Sequence, residues 1–356
     1  MYPQEHPPER SQSLMQKDFF KGIKEAQLYK KLANKKVHCL VCRRFCVISD
    51  GLTGACRVRK NIKGKLYSLV YGRTLTMAID PVEKKPLFHF KPGSSCMSIS
   101  THGCNFHCTF CQNWESSQEF TEHAITQVPY ASPEQIVEQT LEAHVPGISY
   151  TYTEPTIFFE YALDTMKLAK KAGLYNVWVS NGYMSKQVAD AIIPHLDAIN
   201  IDLKGNADFY KKLCVGIDIK GVKENIKYFA KKKVHVEVTN LIVPGFNDKD
   251  ADFKEVANFI KGINPRMPLH FSKFFPNYKL NYLPATPEAK ILRAKEIAEK
   301  SGLKYVYAGN LAKEESTFCE KCKNILIKRV GFEASIMGID EEGKCKRCGT
   351  KLHAVL

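Results

Sequence analysis

Cys96-Met-Ser-Ile-Ser-Thr-His-Gly-Cys-Asn-Phe-His-Cys-Thr-Phe-Cys-Gln-Asn-Trp114 sets a short strand directly in front of three cysteines. Cys104, Cys108 and Cys111 are separated by gaps of three and then two residues, so one tight loop carries three thiolates. A [4Fe–4S] cluster ordinarily takes four. Three leave one iron without a protein ligand, much as an open position marks a catalytic zinc site. A zinc knuckle or three packed thiols are the competing readings. Zinc sites usually pair two Cys-x2-Cys halves, however. No second half lies nearby, and Cys96 sits in an apolar run.

Around this stretch the chain alternates strands with amphipathic helices, a βα pattern. Candidate strands are Cys96–Thr101, Ile148–Thr153, Asn176–Ser180, Ala198–Lys204, Val234–Val243 and Leu269–Phe274, with a further candidate at Tyr305–Tyr307. Ser132-Pro-Glu-Gln135 is a helix start with a Ser cap, Pro in the first turn and Gln three residues on. Thr286-Pro-Glu starts another by the same logic, and Gly173 and Gly302 fit as helix terminators. Six such units suit an α/β fold, a partial (β/α)6 barrel of TIM type. Chemistry in such barrels gathers at the C-terminal ends of the strands, where the Cys104 loop lies.

The chain has 356 residues, 44% of them hydrophobic, enough for one domain of barrel size with small additions. It has no apolar run of about 18 residues and no apolar core of a signal peptide near its N-terminus. A cytoplasmic protein with no membrane partner is expected. Thirteen cysteines in such a chain read as metal or cluster ligands, not disulfides. The net charge of +15 would attract nucleic acid, acidic proteins or anionic cofactors. Its basic residues are spread along the chain and form no single aromatic-interleaved stripe. No Gly-x-Gly-x-x-Gly follows a strand, which argues against a dehydrogenase.

The Cys-x3-Cys-x2-Cys spacing, with Phe110 before the third cysteine, resembles the signature of radical S-adenosylmethionine (SAM) enzymes. The resemblance implies that the open iron chelates SAM and that one electron cleaves it to methionine and a 5′-deoxyadenosyl radical. Later strand ends extend it. Thr151-Tyr-Thr-Glu-Pro155 is similar to the glycine-glycine-glutamate segment that recognises the SAM amino group, with Tyr152 and Thr153 in place of the glycines. Glu154 also suits a cap for a helix starting at Pro155. Val179-Ser-Asn-Gly-Tyr183 resembles the Thr-Asn-Gly segment of glycyl-radical activating enzymes, which implies Ser180 and Asn181 near the ribose and methionine of SAM. Val179 stands where the pyruvate formate-lyase activator has an aspartate, which puts that enzyme's monovalent cation in doubt. Asn181-Gly182 is equally a common turn pair.

Ile201-Asp-Leu-Lys-Gly205 matches the Asp-x-Lys element of the same enzymes. On a strand Asp202 and Lys204 point to one side, towards SAM and substrate, or simply pair with each other. Val243-Pro-Gly245 resembles a segment that lines the adenine, and an ordinary turn competes. His270 would lie near the nucleoside or be a structural histidine. Asp80–Gly93, rich in charge and proline, reads as a lip of the active site or a plain connecting loop. The whole resembles pyruvate formate-lyase-activating-enzyme-like proteins. Within them it resembles the radical SAM member of the AmmeMemoRadiSam system, through Tyr71–Thr74, Asp80–Gly93, Cys111–Trp114, Tyr307–Asn310 and the terminal cysteines.

Two cysteine modules flank the expected barrel, dividing the chain at about 1–75, 76–312 and 313–356. The first part adds a polar leader and a helix near Phe19–Leu32. Cys39, Cys42, Cys46 and Cys56 make a closed tetrathiolate site for zinc or an auxiliary iron–sulfur cluster. Zinc is the favoured reading. Cys319-x2-Cys322 and Cys345-x2-Cys348 read as a zinc ribbon, with a rubredoxin-like iron site as the alternative. Three functions compete. One is hydrogen abstraction from a protein or peptide, as an activating enzyme performs. The second is radical SAM modification of RNA, favoured by the charge and the ribbon. The third is a non-catalytic metal-bound adaptor. The resemblance further implies an electron donor such as ferredoxin or flavodoxin, and association with Memo-like and AMMECR-like proteins.

Overall fold

The computed structural model describes residues 22–311 and 313–356; the polar leader lies outside them. Six short strands open the described chain: β1 (Lys24–Glu25), β2 (Tyr29–Lys31), β3 (Val37–Cys39), β4 (Val47–Ile48), β5 (Arg59–Ile62) and β6 (Lys65–Ser68). They form two antiparallel sheets, β1-β6-β5 and β2-β3-β4. The helix expected near Phe19–Leu32 is absent from the described part of that span. Lys24 and Glu25 pair with Ser68 and Tyr67, and Tyr29 pairs with Cys39. Tertiary pairing has overridden a helical composition.

An eight-stranded sheet follows: β7 (Thr76–Pro81), β8 (Ser95–Ser100), β9 (Gly147–Tyr150), β10 (Tyr175–Ser180), β11 (Ala198–Asp202), β12 (His235–Ile242), β13 (Leu269–Lys273) and β14 (Val306–Gly309). Its strands lie side by side in chain order. From β8 to β14 every neighbour is parallel, and helices fill the connections. This is the α/β partial barrel of the sequence reading, with the Tyr305–Tyr307 candidate realised as a seventh parallel strand. The sequence reading missed β7, which runs antiparallel on β8 at the edge. Its outward Met77 and Ile79 are exposed, as an edge permits.

Ser132 caps its helix as expected: the Gln135 N–H donates to its Oγ at 3.3 Å and Gln135 Oε1 accepts from its N–H at 2.8 Å. The helix after Thr286 runs Glu288–Lys300, but Thr286 does not cap it. Its hydroxyl donates to the Ile242 carbonyl and accepts from the Phe274 N–H, tying two strand ends together. Gly173 and Gly302 end their helices at φ +78° and +105°, values that glycine adopts freely. At the sheet's centre Tyr150, Val177, Trp178, Ile199 and Ile201 are all fully buried, and so are the polar side chains of Ser149, Asn176, Asn200 and Glu237.

The C-terminal strands β15 (Thr317–Phe318), β16 (Ile325–Val330) and β17 (Glu333–Ile336) form an antiparallel sheet. The Asp80–Gly93 connection stitches it to the barrel. His89 Nδ1 bonds the His353 carbonyl at 2.7 Å and Nε2 bonds Tyr307 Oη at 2.6 Å. The Arg329 guanidinium lies 4.5 Å over the Phe88 ring. Among the described residues, no helix is long and apolar enough to cross a membrane.

Candidate functional site

The loop after β8 carries Cys104, Cys108 and Cys111 to the C-terminal edge of the sheet. All three line a cavity of about 350 Å³. The ends of β9, β10 and β11 bring Glu154, Ser180, Asn181, Asp202 and Lys204 to the same cavity, and Phe110 borders it. Nine of the residues singled out from the sequence thus converge, although they span a hundred positions of chain.

Local donors surround the sulfurs. The Phe106 N–H donates to Cys104 Sγ at 3.3 Å, Asn181 Nδ2 donates to it at 3.8 Å, and the Ser117 hydroxyl lies 3.3 Å from Cys111 Sγ. Gln118 Nε2 holds the Cys108 carbonyl at 3.0 Å. Burial pushes the Cys104 thiol well above its ordinary range. Such thiols keep their protons until a metal displaces them. Asn105 Nδ2 is a buried donor without a partner among the described residues. Hydrogen-bond donors around ligand sulfurs are what an iron–sulfur cluster uses. The donor set therefore fits a [4Fe–4S] group.

Glu154 is fully engaged. It accepts from the Thr156 N–H at 3.1 Å, the Thr156 hydroxyl at 2.5 Å, the Ser180 hydroxyl at 2.8 Å and the Asn181 N–H at 2.8 Å. Burial raises its carboxyl pKa while these four donors oppose the rise. The capping role is present: Glu154 caps the turn Pro155–Phe158. Tyr152 has φ +65°, the left-handed region where glycine sits without cost. The backbone therefore keeps a glycine-like shape through a tyrosine. The Tyr152 hydroxyl donates to Asp80, which also accepts from Lys84 and Lys85 at 2.7 Å each.

Lys204 Nζ donates to Asp202 Oδ2 at 2.8 Å. Burial works against the Lys204 charge, and the Asp202 carboxylate outweighs it, so the ammonium is held well above its ordinary pKa. The ion pair faces the cavity, with Asp202 the more exposed partner.

Two expected residues are placed elsewhere. His270 does not line the cavity; its Nε2 donates to Glu237 Oε2 at 2.7 Å inside the barrel. Glu237 also accepts from His235 and from the N–H groups of Phe88 and His89. The Glu237 carboxylate holds His270 inward. Val243 is fully buried, its N–H bonded to Asn247 Oδ1 at 2.7 Å, and Leu241 lines the cavity instead. Lys84 and Lys85, Asn113, and Asn310 line the cavity from the Asp80–Gly93, Cys111–Trp114 and Tyr307–Asn310 segments singled out from the sequence, whereas sequence reasoning missed Lys273. The charged Asp80–Gly93 lip was the signal for the two lysines.

At the C-terminus the ligand atoms of Cys319, Cys322, Cys345 and Cys348 all lie within 4.8 Å of one another. The Sγ atoms of Cys319 and Cys348 are 3.5 Å apart, and those of Cys322 and Cys345 3.6 Å. The Thr350 hydroxyl helps to lower the Cys348 thiol to about 6, towards the thiolate a metal needs.

Residues 98–260 match the family model described as the radical SAM superfamily. An uncharacterised protein of Methanocaldococcus jannaschii is 45% identical over 340 residues, covering 94% of this chain and 100% of that one. The pyruvate formate-lyase 1-activating enzyme of Escherichia coli is 22% identical over 218 residues, 58% of this chain and 89% of its own length. The pyruvate formate-lyase-activating enzyme of Clostridium pasteurianum is 23% identical over 209 residues, covering 53% and 83%. With the three-cysteine loop at the mouth of a parallel α/β sheet, these matches identify residues 98–260 as a radical SAM domain and give the chain homologues among the pyruvate formate-lyase-activating enzymes.

Proposed function

We propose that this chain is a radical SAM oxidoreductase of the activating-enzyme type, abstracting hydrogen from a protein or peptide. The observation that carries the reading is the convergence of Cys104, Cys108 and Cys111 with Glu154, Ser180, Asn181, Asp202 and Lys204 on one cavity. Its volume, about 350 Å³, lies within the roughly 300–1,000 Å³ of small-molecule sites. A [4Fe–4S] cluster held by the three thiolates supplies an open iron for SAM and the electron for its reductive cleavage.

The chain's own groups do the positioning. Glu154 takes the SAM ammonium as the Ser180 hydroxyl turns away, since a carboxylate accepts about four hydrogen bonds and all are in use. Ser180 and Asn181 face the ribose and methionine portions. Asp202 and Lys204 offer opposite charges to SAM and substrate. Phe110 covers Lys204 from 5.8 Å and excludes water. Lys84 and Lys85, on the Asp80 lip, border the entrance where a peptide would lie.

The C-terminal four cysteines hold zinc in this reading. Zinc–sulfur bonds of about 2.3 Å in a tetrahedron put sulfurs roughly 3.8 Å apart, close to the distances seen. Membership of the AmmeMemoRadiSam system, a cytoplasmic location, a ferredoxin or flavodoxin donor, and Memo-like and AMMECR-like partners belong to the same proposal. RNA is the second reading, favoured by the charge of +15.

The test uses protein and RNA fractions from cells grown in deuterated medium. Each is incubated anaerobically with the reconstituted enzyme, SAM and dithionite. Deuterium should enter 5′-deoxyadenosine from the protein fraction and survive ribonuclease. Label arising from RNA alone, and lost on ribonuclease treatment, would replace the protein reading.

A further inference from the structure

The four N-terminal cysteines differ from the C-terminal four in one measurable way. Around a single zinc, sulfurs stand roughly 3.8 Å apart, and the C-terminal set meets this. Among Cys39, Cys42, Cys46 and Cys56, no three ligand atoms lie within 4.8 Å of one another, nor do those of Cys104, Cys108 and Cys111. A cubane cluster seats each thiolate on a separate iron, so its cysteines stand wider than those around one ion. The N-terminal four are gathered on one module: the Cys39 N–H donates to the Cys46 carbonyl at 2.9 Å, and a Cβ at Gly54, two residues before Cys56, would stand 3.7 Å from Cys46 Sγ.

Their position is as informative as their spacing. Gly103 lies against this module: a Cβ there would stand 2.8 Å from the Cys56 carbonyl oxygen and 2.7 Å from Val58 Cγ1. Arg57 donates to the Gln118 carbonyl, and Gln118 in turn donates to the Cys108 carbonyl. The two ligand loops are thus in direct contact, while none of the N-terminal four lines the cavity. Lys30, Lys31, Lys35 and Lys36 are exposed on the same module, a surface suited to an acidic electron carrier.

We propose that Cys39, Cys42, Cys46 and Cys56 hold a [4Fe–4S] cluster that relays single electrons to the Cys104–Cys111 centre. The carrier, a reduced ferredoxin- or flavodoxin-type protein, is oxidised by one electron. The relay is reduced by it and then reoxidised as the electron passes through the Cys56–Gly103 contact. No bond forms or breaks until the SAM carbon–sulfur bond is cleaved. The relay role rests on the radical SAM reading; the cluster assignment does not.

The test takes the full chain, reconstituted anaerobically, and measures iron, sulfide, zinc and the electron paramagnetic resonance spectrum. About eight irons and one zinc per chain are expected. C39A/C46A should keep about four irons, a reduced signal that still changes on adding SAM, and dithionite-driven SAM cleavage within about twofold. Cleavage driven by reduced flavodoxin should fall at least about tenfold. About four irons with two zincs in the unaltered chain would overturn the assignment, whether or not the variant folds. An undiminished flavodoxin-driven rate in the variant would overturn the relay. Eight irons without any SAM cleavage would sink the radical reading and leave the N-terminal cluster standing.

Discussion

Asp202 and Lys204 show how far a two-residue spacing carries. Alternation along a strand puts both on one side, and β11 delivers both to the cavity as a 2.8 Å ion pair. Removing one partner leaves the other charge unpaired beside the proposed SAM site. Asp202→Ala should weaken SAM binding by about 10- to 100-fold, the loss of one charged hydrogen bond worth roughly 1.5–3 kcal/mol. Anaerobic calorimetry with SAM would measure it; unchanged affinity would reduce the pair to a structural one. The cysteines and Glu154 were readable for a similar reason, because their chemistry is local. His270 was not, because the carboxylate that captures it sits on the neighbouring strand, 33 positions away. Nor does local sequence show that Tyr152 takes a left-handed conformation under the pull of Asp80.

At the scale of elements, the parallel strands were legible from their apolar runs and flanking helix signals. The N-terminal strands were not, since each is only two to four residues long and exists through its partners. Their anchor is a buried ion pair between Arg59 on β5 and Glu160 on the helix Phe159–Lys171. Arg59 Nη2 and Nη1 donate to Glu160 at 2.5 and 3.0 Å, and Nε donates to the Ile157 carbonyl at 3.1 Å. Both side chains are essentially buried. Glu160→Ala strands the guanidinium and should cost about 3–5 kcal/mol. Thermal unfolding would show this, and limited proteolysis should cut first between residues 22 and 68. A variant as stable and resistant as the parent would contradict this anchoring.

For the molecule as a whole, the Asp80–Gly93 connection couples barrel, cavity and C-terminal ribbon. His89 is its buried centre, and burial lowers its pKa to about 3 from the ordinary 6.5. It is neutral when folded, so the unfolded chain binds the extra proton. Its contribution to stability is therefore complete above about pH 6.5 and is lost as pH falls from 6.5 towards 3, by up to about 1.4 kcal/mol per unit. Melting temperatures between pH 7.5 and 5 should fall accordingly, and His89→Asn should flatten the dependence. The Glu237 carboxylate, held well below its ordinary range by its donors against burial, adds loss in the same direction only at lower pH. On the proposed zinc assignment of Cys319, Cys322, Cys345 and Cys348, a chelator should loosen this module, seen as faster proteolysis within residues 313–356, while the barrel's circular dichroism persists.

The functional reading turns on whether a cluster held by the three-cysteine loop reduces SAM. The decisive measurement is 5′-deoxyadenosine formation by the anaerobically reconstituted chain with dithionite and SAM, beside the Cys108→Ala variant. Steady 5′-deoxyadenosine production that vanishes in the variant, whose C-terminal metal is retained, is the predicted result. No production by the fully reconstituted chain, or equal production by Cys108→Ala, would contradict the assignment of Cys104, Cys108 and Cys111 as the catalytic cluster ligands.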